Sequence, residues 1–517
     1  MSERRRPPAL LIVAAGAVAV ASLLPAAYLL LREGFSFGLL SKELSAPSTG
    51  PLLWNTVQLV VLVTTVCMVM GVGLALLVSR TDLPLRRFWT VLLTLPLGVP
   101  TFVGSYAWVA ASYRLVPTST FIYGLRGSVI VLSLSLFPYV FLPVVVALRG
   151  LNPAQEEAAR SVGHGPAAAF LRVTLPQLRV AIAGGSLIIS LHLLAEFGAV
   201  QMLRFQTLTT AVVNRATVLG SPESARALAV VLAGGALVLL GVDRLVRGRA
   251  QQPRTHGAAP RPPDRWRLGR ARWIWFLVCG AVVAVALGVP LYATFAGLAA
   301  HASGSVTGVD WELLWHSTAN TARYGFAAAV FATACAIPVS MISVRYPGKF
   351  ASAAERSTWV ARALPGVIMA LALVYISVRW VYPIYQTSTL LIIAYVIMFL
   401  PLAIGAQQVG FSQASTDYDD LSRSLGSGPL GTFRRVTLPL ILPAMAAGAM
   451  FVALDVGKEL TTTLLLHPTG EYTLATALWG TTNGEVLDFS AAAPYGLVLL
   501  IIGAIPAALL ARRTLRS

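Results

Sequence analysis

Charge is scarce in this chain. Asp, Glu, Lys and Arg make up 12% of its 517 residues, about half the share usual in soluble domains. A string of soluble domains is excluded by what fills the gap, since 56% of the residues are hydrophobic. Cysteine is scarcer still. Cys67, Cys279 and Cys335 each fall inside an apolar run, at no short spacing from one another, so neither a disulfide framework nor a thiolate metal site is indicated. They read as small buried hydrophobes. The six histidines are scattered, with no His-Glu-x-x-His pair, and no Gly-x-Ser-x-Gly elbow occurs. A phosphate loop is missing as well: Gly348-Lys349-Phe350 lacks both the preceding glycine loop and the following hydroxyl. A membrane-embedded enzyme thus has no catalytic constellation behind it. The chain is expected to hold no metal or cofactor of its own and not to hydrolyse ATP itself.

What is present is length of apolar run. A bilayer core about 30 Å thick needs roughly 20 helical residues to cross it, and only helices or closed barrels satisfy the backbone there. About twelve such runs follow one another: 9–31, 54–78, 88–112, 127–148, 178–200, 225–246, 273–297, 318–343, 357–381, 387–409, 440–466 and 489–511. The fold class is therefore an all-α polytopic membrane protein. The net charge of +18 does not imply nucleic acid, because no basic domain with interleaved aromatics exists. Instead Arg80, Arg86, Arg87, Arg149, Arg160, Arg172, Arg345, Lys349, Arg356, Arg423, Arg434 and Arg435 fall in alternate loops. That bias places those loops, Arg4–Arg6 and the Arg512–Arg516 tail in the cytoplasm.

A Pro-, Gly- and Arg-rich stretch at 247–272 interrupts the apolar pattern and reads as a flexible cytoplasmic linker. It divides a first half (1–246) from a second (273–517), each with six spans. The halves are related by an internal repeat: Glu157–Pro176 aligns with Asp420–Pro439 at one offset and without a gap. Six spans per half put both repeated segments on one side, so the repeat is parallel.

The repeated loop, near 152–177 and again near 415–440, has the chemistry of a docking element. Pro153 can open a short helix, with Gln155, Glu156 and Glu157 at its positive N-terminal end. Ala158 and Ala159 leave one face shallow, Gly163 and Gly165 permit a sharp turn, and Pro166 starts a second helix. Asp419, Asp420 and Gly426 stand in the second copy. His164 lies at the first turn, where contact with a partner is the natural reading. Glu157-Ala158-Ala159, then Gly163, then Val173-Thr174-Leu175-Pro176 resemble the "EAA" loop of binding-protein-dependent ABC importer permeases. The fused two-half layout is similar to the ferric-iron, thiamine and aminoethylphosphonate branch, as are Glu196-Phe197-Gly198-Ala199-Val200 and Lys458–Pro468.

The resemblance implies an inner-membrane subunit without an ATPase site of its own. Two copies of an ABC ATPase carrying ATP-Mg would sit at Glu156, Glu157, Ala158, Ala159, Gly163, His164, Asp419, Asp420 and Gly426. An external binding protein would deliver the solute, with ferric iron the first expectation and thiamine, aminoethylphosphonate and polyamines open. The second copy departs from the pattern, because Leu421 and Ser422 replace both alanines. Substitutions at Gly163 or Glu157 are therefore expected to harm coupling more than those at Gly426 or Asp420.

Glu196 and Glu459 occupy equivalent positions beyond Pro176 and Pro439, in the outer half of their spans. An ionised group at mid-membrane costs about 2.5–3.5 kcal/mol on insertion scales, so such residues face a cavity or a partner. Asp455 stands one turn before Lys458 and can pair with it. Glu196, Lys458 and Glu459 are the candidate lining of the translocation path; the competing reading is structural pairing between helices. The rival for the whole chain is a secondary transporter driven by an ion gradient, which would explain the repeat and the charges but not the paired docking loops.

Overall fold

The computed structural model describes residues 7–31, 37–151, 153–163, 165–247, 266–303, 309–482 and 489–516. Arg4–Arg6, His164 and most of the expected linker (248–265) lie outside them. Among the described residues the ordered elements are helices and the lone β-bridge is Thr81–Trp266. Nine helices among the described residues are long and apolar enough to cross a membrane, and two bent pairs raise the number to 11. The last expected span corresponds to the shorter apolar helix Ala493–Ala508, so each of the expected runs has a helical counterpart.

The bent pairs have a common cause. Helix Arg86–Leu92 with the 3-10 turn Leu95–Gly98 meets helix Thr101–Leu115 at 92°, and helix Lys349–Ala363 meets Gly366–Trp380 at 103°. Pro100 and Pro365 stand at the two corners. A proline disfavours helical backbone in the residue before it, and Val99 (ψ 114) and Leu364 (ψ 130) are accordingly extended. Pro143 and Pro401, by contrast, lie within continuous helices.

The three longest unbroken spans among the described residues are Gly269–His301, with 33 residues, and two single α-helices. Thr49–Arg80 has 32 residues and Trp311–Arg345 has 35, which at 1.5 Å per residue is about 50 Å each. These two α-helices end in arginines, Arg80 and Arg345, which meet the repeated loops.

Packing groups the chain into two compact units, one of residues 1–41, 222–230 and 310–480, the other of 42–221, 231–309 and 481–517. In the first, Trp311–Arg345, Ser388–Gln413 and Leu438–Gly457 pack on one another around a core rich in alanine, including Ala328, Ala332, Ala336 and Ala403. A Cβ on Gly410 would lie 2.7 Å from the Ala444 Cβ, and one on Gly448 3.1 Å from the Ala406 Cβ. Small residues let the backbones close up where lipid supplies no hydrophobic drive. Helix Ala9–Leu31, first in the chain, packs on Lys349–Ala363 and Trp311–Arg345 of this unit.

In the other unit Thr49–Arg80 packs on Pro138–Gly150 and Leu175–Ala195, and a Cβ on Gly71 would lie 2.8 Å from the Val140 Cβ. Helix Val289–Ala302 packs here on Thr101–Leu115 and on Ala493–Arg516. Each unit thus borrows helices from the far end of the sequence.

Candidate functional site

The repeated loop folds into the same hairpin twice. Helix Pro153–Ser161 leads through Gly163 to the short helix Pro166–Ala169, a π-helical turn Phe170–Thr174, and then the span Leu175–Ala195. In the second copy, helix Thr416–Ser424 leads through Gly426 to Pro429–Thr432, a π turn Phe433–Thr437, and Leu438–Gly457. Gly163 and Gly426 have φ of +92° and +86°, left-handed values that glycine alone adopts without strain. Hydrogen bonds from Gly426 N to the Arg423 carbonyl (2.9 Å) and from Ser427 N to the Ser422 carbonyl (3.1 Å) complete a Schellman closure. The two glycines meet the same backbone demand, which gives no ground for ranking them.

The acids of each hairpin separate into two kinds. Glu157 and Ala158 are exposed and Ala159 is half-buried. Glu156 turns inward: its Oε2 accepts the Thr174 hydroxyl at 3.0 Å and lies 3.2 Å from Arg80 Nη2. Asp419 is buried in the same way, accepting the Thr437 hydroxyl at 2.8 Å and pairing with Arg345. Asp420, matching Glu157, is half-buried. Both π turns bring their threonine round to the acid. Arg80 and Arg345, the last residues of helices Thr49–Arg80 and Trp311–Arg345, were not singled out from sequence. An arginine at a span end is what the positive-inside rule supplies anyway. The available signal was recurrence, one such arginine ending the corresponding span of each half.

Around the first hairpin the last part of the expected linker closes in. Trp266 N–H donates to the Arg80 carbonyl at 2.8 Å, Leu268 N–H donates to Asp82 Oδ1 at 2.8 Å, and the Trp266 ring meets Phe170 edge-on at 5.7 Å.

The departures in the second copy now have a geometry. Ser422 and Thr432, which replace Ala159 and Ala169, are both buried and their hydroxyls lie 3.2 Å apart. A hydrogen-bonding pair thus stands where the first copy has two alanines. On the outer side Leu421, in place of Ala158, is 59% exposed, beside exposed Tyr418 and Leu425.

Glu196 and Glu459 sit where spans break. Glu196 is the C-cap of Leu175–Ala195. Its carboxylate accepts Ala199 N–H at 2.9 Å and the Thr101 hydroxyl at 2.6 Å, and lies 3.1 Å from His192 Nε2. Glu459 accepts Thr462 N–H and Thr463 N–H, both at 2.9 Å. Each carboxylate thereby holds the otherwise unpaired donors that open a short helix, Gly198–Met202 or Thr461–Leu466. Each also lies at the start of the helix after a proline corner: Thr101 donates to Glu196, and a Cβ on Gly366 would come 3.1 Å from Glu459 Oε1. Lys458 caps Leu438–Gly457 and is half-buried. Asp455 meets Arg362 at 3.2 Å, a partner the i, i+3 spacing did not suggest.

Among the described residues, helices of membrane-crossing length and a hairpin that recurs in each half define a multi-span membrane protein. The family model for the binding-protein-dependent transport system inner membrane component matches residues 68–251 and again 326–516, and the chain belongs to that family. It is 31% identical over 512 residues, 98% of each chain, to the Fe(3+)-transport system permease protein FbpB 2 of Haemophilus influenzae. It is 27% identical over 195 residues, 37% of this chain and 71% of the relative, to the putative 2-aminoethylphosphonate transport system permease protein PhnV of Salmonella typhimurium. A match of 27% over 191 residues, 35% and 65% of the two chains, relates it to the sulfate transport system permease protein CysW of Escherichia coli. The chain is a multi-pass inner-membrane permease of binding-protein-dependent ABC transport.

Proposed function

We propose that this permease imports ferric iron, taking it from an external binding protein and passing it inward as two ATPase subunits close beneath the hairpins. The observation that carries the substrate is the iron permease relative, which matches across 98% of both chains, whereas the aminoethylphosphonate and sulfate relatives match little more than a third of this one. The exposed Glu157 face and its counterpart at Asp420 and Leu421 meet the ATPase. Both termini lie on the side of the hairpins. Rigid-body tilting of packed helices then alternates access to the route.

Glu196, Lys458 and Glu459 are the fixed polar points of that route. Carboxylates with several donors each, set at breaks in spans, keep the backbone open there without leaving a charge in lipid. The test is uptake of radiolabelled ferric iron by cells deprived of iron, with and without the gene, together with the ligand found in the cognate binding protein. Iron in the binding protein and lost uptake on deletion agree with the proposal; an organic phosphonate or sulfate in that protein would replace the substrate. Loss of uptake at normal expression in Glu196→Gln and Glu459→Gln is expected, and full uptake in both would remove these residues from the route.

A further inference from the structure

Glu157 is exposed and its counterpart Asp420 half-buried, whereas Glu156 and Asp419 beside them pair with arginines of this chain. Glu156 joins three elements that the sequence keeps apart: the last residue of Thr49–Arg80, the first helix of the hairpin, and the π turn at the base of Leu175–Ala195. Asp419 joins the corresponding three, through Arg345 and Thr437. We propose that the triads Arg80–Glu156–Thr174 and Arg345–Asp419–Thr437 are the links that carry hairpin movement into two spans at once. Their residues position the docking surface and do not bind the ATPase. This rests on the reading that the hairpins dock on ATPase subunits.

Three observations support the assignment. The ion pairs are buried, with side-chain exposures of 5% and 12% for Arg80 and Glu156 and 7% and 9% for Arg345 and Asp419. A buried ion pair is a poor way to gain stability, since apolar residues of similar volume often hold a fold as well or better. What it supplies is a directional joint between separate elements. The joint also occurs twice with different chemistry: Glu156 uses one oxygen for both partners, while Asp419, shorter by a methylene, divides its two oxygens between them. The connection survives a change in the acid, as a mechanical link requires and a chance surface contact does not. Finally, the π turn at each base widens the helix by one residue and is a recurrent feature of functional sites. Here it is what turns Thr174 and Thr437 toward the acids.

The test uses the full complex of permease, ATPase and binding protein in liposomes, with Glu156→Gln, Asp419→Asn, Thr174→Val and Arg80→Met. Uptake is expected to fall roughly twofold to thirtyfold. The ATPase should co-purify at the wild-type ratio and hydrolyse ATP at the wild-type rate, so that more ATP is used per ion moved. Where a single variant does not accumulate, the pair Arg80→Met with Glu156→Met restores folding. It should remain uncoupled, and exchanging the charges (Arg80→Glu with Glu156→Arg) should recover part of the coupling. Wild-type uptake in Glu156→Gln and Asp419→Asn overturns the proposal, as does full recovery by the paired methionines, which would make the triad mere packing. Loss of ATPase binding in step with uptake also overturns it, by assigning the acids to the docking surface. If the wild-type permease does not hold the ATPase at all, the docking reading fails first and this inference with it.

Discussion

Replacing Gly163 or Gly426 with alanine isolates one physical quantity. Both residues have left-handed backbone, at φ +92° and +86°, and a Cβ at either would meet no heavy atom within 4 Å. The change therefore costs conformational energy without a clash. Holding an L-residue in that region costs about 1–2 kcal/mol, which shifts the ratio of formed to unformed hairpin roughly fivefold to thirtyfold. Asparagine visits the region more readily and should do less harm. Valine, for which positive φ is a true outlier, should do more. The expected order of activity at both positions is glycine, asparagine, alanine, valine, with losses of the same size at 163 and 426. Uptake measured beside the ratio of co-purified ATPase checks this. Asparagine as harmful as alanine, or valine no worse than asparagine, would refute the conformational reasoning. A loss confined to Gly163 would show that the two turns are not equivalent.

Other perturbations follow from single contacts. Thr101→Val removes a hydroxyl that donates at 2.6 Å to buried Glu196 and should cost about 1.5–3 kcal/mol; a thermal midpoint unchanged in detergent would contradict this. Gly366→Ala would set a Cβ 2.5 Å from Thr462 Oγ1 and 3.1 Å from Glu459 Oε1, and is expected to lower stability by about 1–3 kcal/mol through overpacking. Gly98→Ala meets the Gly503 carbonyl at 2.5 Å, where backbone cannot yield as a side chain can, and should lower the thermal midpoint by a similar free energy of about 1–3 kcal/mol. Ser422→Ala with Thr432→Ala restores the two alanines of the first hairpin and removes both partners of one hydrogen bond, so it should be nearly neutral, within about 1 kcal/mol; a large loss of uptake would mean that this hydrogen bond has a further role.

The spans were legible because hydropathy and length are local properties, and each expected run has its helix. The corners at Pro100 and Pro365 were visible as prolines, but a proline within a run can equally sit in a continuous helix, as Pro143 and Pro401 do. Packing partners were not legible. Nothing in the apolar run at Ala9–Leu31 says that it rests on Lys349–Ala363, since lipid-facing and helix-facing residues are equally apolar. The hairpins were recognisable from glycine, proline and acid recurring at one spacing. Which acid turns inward was not, because neighbours on a helix point about 100° apart and the phase is fixed only by where Arg80 and Arg345 arrive. Glu196 and Glu459 could be found as ionisable residues at membrane depth. Their task of capping short helices became visible only when Gly198–Met202 and Thr461–Leu466 were seen to begin there.

The central claim is that the hairpins make this chain dependent on an ATPase. Ferric uptake into sealed liposomes tests it most directly, comparing the chain alone with the chain plus ATPase and loaded binding protein. No uptake by the chain alone is predicted, with ATP-dependent uptake by the complex that vanadate stops and an uncoupler leaves intact. Uptake by the chain alone, collapsing when the ion gradient is dissipated, would contradict it.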